Sequence, residues 1–323
     1  MMIARVLMVL GLLTAALGMA DDLDVYKQRL AQGDNPGQLV SQLQQQVKTQ
    51  PDNSELLALL VQAAQRSGDL ETAISQGRKV VPMLPKDARV RYYLAMALQQ
   101  KMSRNPPSWM MGKKEFITLM QDAIEIEPGF ASPYVALAHV YINLPGFLGG
   151  STKTAHQVLD QLKQHDPQQS LLTRVVVFKK EGKADAAHEA LSLGMRDYPQ
   201  DARFAYRYGM QLQEEQKYQQ ALTTFATNIN RDQPHMPSLY QSARTKILGN
   251  FQLADAVSQL ERYLAAPETA GDRSGAWWRK GNAHEGLQQH QLAKQCYETA
   301  LKQAPDFKQA QKSLKHLEAK MGS

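Results

Sequence analysis

The chain has 323 residues, 43% of them hydrophobic and 21% charged, with a formal net charge of +6 and a single cysteine. One Cys excludes an intramolecular disulfide. The positive excess is spread along the chain without a basic cluster interleaved with aromatics, which argues against a nucleic-acid surface.

Residues 1–20 carry one basic residue, Arg5, then an apolar run from Val6 to Leu17, then the small residues Gly18 and Ala20 ahead of Asp21 and Asp22. That is the pattern of a secretory signal peptide, with cleavage expected after Ala20 and export of the mature chain. The run is shorter than the roughly 20 apolar residues that span a bilayer, and no second run follows, so no integral membrane segment is expected after cleavage. No Cys stands near the cleavage point to carry a lipid.

From Asp21 to Asn53 a lead-in segment shows helical periodicity at Leu39, Leu43 and Val47. Beyond it, prolines recur at Pro51, Pro85, Pro128, Pro167, Pro199, Pro234, Pro267 and Pro305, each expected to close a pair of helices. Residues 54–305 then read as seven helix pairs. In the first, Leu57, Leu60, Ala64, Ala73 and Val80 take the core spacing. The second and third are interrupted by "KMSRNPPSWMMGKKE" and "NLPGFLGGSTK", read as insertions between the two helices of each pair. Because they fall at equivalent places in successive pairs, they are expected side by side, bringing together Trp109, Met110, Met111, Phe147 and Leu148. Those apolar side chains either seal the edge of the stack or form a docking patch for a partner or a membrane surface.

The stretch from Gly146 to Thr154 has the glycines of a phosphate loop. Its Lys follows the Ser and Thr instead of preceding them, and no strand leads into it, so Gly149 and Gly150 read as a turn and Ser151 as a helix cap. The eight His are scattered, with no HExxH or paired-Cys spacing, and no order of Ser, His, Cys and Asp singles out a nucleophile. No catalytic residue, metal or cofactor is expected.

The most regular pair is Ser274 to Pro305. Trp277, Gly281, Ala293, Tyr297, Ala300 and Pro305 place small residues where two helices cross and aromatic bulk beside them, and Cys296 lies between core positions as a buried small hydrophobe. Residues 306–323 add one helix, apolar at Ala310, Leu314 and Leu317 and charged elsewhere, suited to cap an end. These six positions resemble the tetratricopeptide repeat family, as seen in exported bacterial proteins. The resemblance implies an all-α, right-handed α-solenoid of about seven repeat-like pairs with a C-terminal capping helix.

In that family the first helix of each pair lines a concave groove. Carried over residue by residue, the second pair presents Arg89, Tyr92, Met96 and Gln99, and the fifth Arg203, Tyr206, Met210 and Gln213, two sets identical in type. The last pair adds Trp278, Asn282 and Glu285, the fourth Leu172, Val176 and Lys179, and the third Val135 and His139. The function implied is a non-catalytic scaffold or adaptor in the periplasm of a Gram-negative bacterium, holding a peptide or partner protein in the groove. Two alternatives stand beside it. One is an assembly factor for exported enzymes or cytochromes, since "LVSQLQQQVKTQPDNSELLALL" is similar to the repeat region of cytochrome c maturation proteins. The other is a periplasmic small-molecule carrier, which needs a pocket with convergent polar groups.

Overall fold

Proline and short acceptor side chains mark where many of the helices of this protein begin and end. A computed structural model describes residues 23–104, 106–267 and 272–322; the proposed signal peptide lies outside them. Every regular element among the described residues is helical. Residues 23–32 form α1, followed by α2 (Pro36–Thr49), α3 (Ser54–Ser67), α4 (Leu70–Met83), α5 (Ala88–Arg104), α6 (Trp109–Ile126), α7 (Ala131–Asn143), α8 (Thr152–Lys163) and α9 (Pro167–Lys180). The chain continues through α10 (Ala184–Asp197), α11 (Ala202–Glu214), α12 (Tyr218–Ile229), α13 (Met236–Leu248), α14 (Leu253–Ala265), α15 (Arg273–Gly286), α16 (His290–Gln303) and α17 (Lys308–Met321).

Pro51, Pro85, Pro128, Pro199, Pro267 and Pro305 each stand two residues past a helix end, where a missing amide hydrogen costs nothing and the preceding residue is turned away from helix. Pro167 departs from the expectation. It opens α9 at the first helical position, behind the cap Asp166, whose Oδ1 accepts from Gln169 N at 2.8 Å. Asn53, Asp69, Ser151 and Asp272 cap α3, α4, α8 and α15 in the same manner, each accepting from an amide two or three residues on. Each such cap contributes about 1 kcal/mol.

The insertion expected in the second pair is a correction. Its described residues are helical: α5 runs on to Arg104, a 3-10 turn spans Pro106–Ser108 and α6 starts at Trp109. Lys, Met, Ser and Arg before the prolines, and Trp, Met, Met and Lys after them, all tolerate helix, so the extra length becomes an extra turn on both helices. The third-pair insertion is a true loop, residues 144–151, with a 3-10 turn at Gly146–Leu148.

The chain divides into two compact units, one ending at Thr173 and the other beginning at Arg174. In the first, α2 to α6 pack on a core of Leu39, Leu43, Leu60, Ala63, Leu94, Phe116 and Met120, each buried. In the second, sequential pairs pack through close crossings. Gly209 of α11 lies under Phe225 of α12, and Gly281 of α15 under Tyr297 of α16. A Cβ at either glycine would collide with the ring. Ala293 and Ala300 are fully buried beside that second crossing, and Cys296 is a buried free thiol whose ionisation burial pushes up.

Candidate functional site

The first unit contains a cleft of about 820 Å³. Tyr92, Met96 and Gln99 line it from successive turns of α5, Val135, Ala136 and His139 from α7, and Trp109 and Phe116 from α6. The third-pair loop closes one side with Leu144, Phe147 and Leu148. Three expectations thus meet in one place: three of the four α5 groove residues, the α7 pair and part of the insertion cluster. The α5 positions share a face because they recur at three- and four-residue spacing, and the cleft stays open because the facing α7 positions carry Ala131, Ser132, Val135 and Ala136, which are too small to fill it.

Tyr92 is half-buried. It packs edge-on against Phe130 and Tyr93, with ring centroids 5.2 and 5.3 Å apart. Burial, and then Tyr93, push its hydroxyl above the ordinary tyrosine range, against a smaller opposing pull from a hydrogen bond with Ser132. Gln99 Nε2 donates to Ser103 Oγ at 3.3 Å. Arg89 lies exposed beyond the cleft. Its guanidinium stands 5.0 Å from the Phe130 ring centroid and 3.3 Å from a Glu127 carboxylate oxygen. The lining has one carboxylate, Asp166, and no Lys or Arg, in a chain whose net charge is +6.

The insertion residues divide. Trp109 is 6% exposed, edge-to-face with Phe116 at 5.9 Å, and belongs to the core. Leu148 is half-buried, and Lys113 Nζ donates to its carbonyl at 2.9 Å, tying α6 to the loop. Met110, Met111 and Phe147 are 77%, 85% and 87% exposed.

The matching set in the second unit has a different environment. Arg203 folds back on Asp201, Nε lying 2.9 Å from Oδ1 and a terminal nitrogen 2.6 Å from Oδ2. Burial pushes the Asp201 carboxyl up, but the hydrogen bonds from Arg203 outweigh it and hold the group below the usual range. Tyr206 packs on His235 at 5.5 Å, and Met210 leans on the small core around Phe225. Gln213 is 4% exposed: its Nε2 donates to Thr245 Oγ1 at 2.7 Å and to the Gln241 carbonyl at 3.2 Å, while its Oε1 accepts from Arg244 at 2.7 Å. It is therefore a buried strut between α11 and α13, not a groove residue. Leu172 is likewise buried.

Trp278 serves the capping helix. Its Nε1 donates to Ser313 Oγ of α17 at 3.0 Å, its ring meets Phe307 edge-on, and Arg279 stands 4.3 Å above it. The Tyr297 hydroxyl lies 2.8 Å from both Asn282 Oδ1 and Glu285 Oε2, engaging those two positions as well. No cluster of three or more His, Cys, Asp or Glu placed to hold a metal occurs among the described residues.

A family model for the tetratricopeptide repeat matches residues 274–307. The match covers α15 and α16 and is similarity over that one helix pair. Solved structures extend the likeness to the fold of most of the chain. Yeast Tom70 superposes with a TM-score of 0.65 at 14% identity, over 88% of this chain and 58% of that one. A tetratricopeptide repeat protein from Parabacteroides merdae gives 0.51 at 13% identity, over 81% and 98%. Human IFIT1 with PPP-AAAA gives 0.52 at 13% identity, over 87% and 69%. The chain therefore spans little more than half the length of Tom70, and at these identities the fold is what is shared. No curated protein sequence matches the chain.

Proposed function

We propose that this tetratricopeptide-repeat protein is a non-catalytic scaffold that holds an extended segment of a partner protein in the cleft of its first unit. One observation carries the reading: Tyr92, Met96 and Gln99, expected from sequence to face a partner, line an apolar cleft of about 820 Å³ together with Trp109, Phe147 and Leu148. Aromatic and Met side chains give large adaptable contact area at low ordering cost, which suits a peptide. The lining charge supports a segment with large apolar side chains and neutral or basic polar ones; a carboxylate-rich segment would meet Asp166 and no compensating cation.

The cleft has the volume of a small-molecule site, which keeps the carrier reading in view. Its polar groups, Ser132, Gln99 and Asn143 among them, come from α5 and α7 in the manner of contacts spread along a chain. The residues 1–20 pattern supports export and a periplasmic place of action, and an intact mass beginning at Asp21 in the periplasmic fraction is the expected result. Panning a displayed random peptide library against the mature chain tests the binding reading. Binders rich in Leu, Phe and Trp and poor in Asp and Glu, crosslinking to a photoreactive residue at position 136, are expected. Binders enriched in carboxylates, or crosslinks confined to the second unit, would overturn it.

A further inference from the structure

At the rim of the cleft and beyond it, the strongest unexplained feature of the first unit is the exposure of Phe147, Met110 and Met111. They lie in one neighbourhood. Met110 and Met111 occupy the first turn of α6, Lys113 one turn on is bonded to the carbonyl of Leu148, and Phe147 is the preceding residue of that loop. Met102 near the end of α5 abuts Gly112, bringing the α5 terminus to the same end of the unit.

The charges at this end are one-sided. Arg104 ends α5, Lys113 and Lys114 follow the two methionines, and Lys153 stands in the first turn of α8 directly after the loop; of these, Arg104, Lys114 and Lys153 are exposed. Two carboxylates of the flanking helices are paired with cations, Glu115 with Arg78 at 2.8 Å and Glu71 with Lys101 at 2.7 Å. Apolar tips ringed by cations complement a surface that is apolar within and anionic outside. No helix among the described residues is long and apolar enough to cross a membrane, so contact of this kind is peripheral.

We propose that this end of the first unit docks reversibly on an anionic lipid surface, inserting Met110, Met111 and Phe147 between headgroups while Arg104, Lys114 and Lys153 engage lipid phosphates. Met110 and Met111 do not line the peptide cleft, so their replacement tests this reading separately from it; Phe147 borders both surfaces. Sedimentation of the mature chain with vesicles tests it, using phosphatidylcholine alone and phosphatidylcholine with about a third phosphatidylglycerol. Binding to the anionic vesicles, little to the neutral ones, and loss of binding in high salt are expected. Met110→Ser with Met111→Ser should weaken partitioning about tenfold or more, and Lys114→Glu with Lys153→Glu by a similar factor. All four side chains are exposed, so melting and helical circular dichroism should not change. Failure to bind anionic vesicles, or binding that survives the methionine changes in a folded protein, would overturn the proposal; the exposed tips would then belong to a protein contact.

Discussion

The quartets Arg89, Tyr92, Met96, Gln99 and Arg203, Tyr206, Met210, Gln213 share residue type, order and spacing, yet one borders a cleft and the other is largely consumed within its own unit. The difference lies in the first helix of the next pair. α7 offers Ser132, Val135 and Ala136 to α5, leaving volume unfilled, whereas α13 offers Gln241, Arg244 and Thr245 to α11, and these close on Gln213. In a repeat protein, a position's role depends on what its neighbour presents as much as on its own side chain.

The largest expected effect follows from that contrast. Gln213→Ala should destabilise the protein by about 2–3 kcal/mol, because Arg244 and Thr245 lose buried partners, while Gln99→Ala should stay within about 0.5 kcal/mol. Chemical denaturation of the two variants measures it. Equal costs would mean that the two quartets are not differently buried.

Added volume sharpens the comparison further. Ala293→Leu inserts atoms beside the Gly281–Tyr297 crossing and should cost about 1–3 kcal/mol. Val135→Phe grows into the open cleft and should cost less than about 1 kcal/mol while blocking peptide capture. Thermal melts separate the two outcomes, and a Val135→Phe penalty as large as that of Ala293→Leu would show that the cleft is not open space.

A smaller effect is shared by both units. Burial raises the hydroxyls of Tyr92, Tyr134, Tyr141, Tyr263 and Tyr297 and the thiol of Cys296 above their ordinary ranges. The unfolded chain loses these protons first as pH rises, so it binds fewer protons than the native state and stability must fall. The decline is expected to begin near the unperturbed thiol range, around pH 8.5, and to steepen through the tyrosine range, around pH 10. Denaturation midpoints measured between neutral and alkaline pH should drop monotonically.

Much of the fold was legible because its signals are local. Gly281, Ala293 and Tyr297 mark a crossing by size alone, and a proline two residues past a helix announces its end. The second-pair insertion misled because "NPP" resembles loop sequence, although the residues on both sides favour helix and Pro106–Ser108 form a 3-10 turn. For the site, the α5 spacing pointed to Tyr92, Met96 and Gln99, but the burial of Gln213 depends on Arg244 and Thr245, some thirty residues away, and no periodicity within α11 reveals what α13 brings to it. Trp278 is a similar case, since Ser313 and Phe307 of the capping segment take up its indole.

The central claim is that the first unit's quartet, and not the second's, serves a partner. Its most direct test is the affinity of a library-selected peptide for Tyr92→Ala/Met96→Ala and for Tyr206→Ala/Met210→Ala, each checked for native helical circular dichroism. The account predicts a loss of tenfold or more, about 1.4 kcal/mol or greater, in the first variant and little change in the second. Undiminished binding in the first variant, or loss confined to the second, would contradict it.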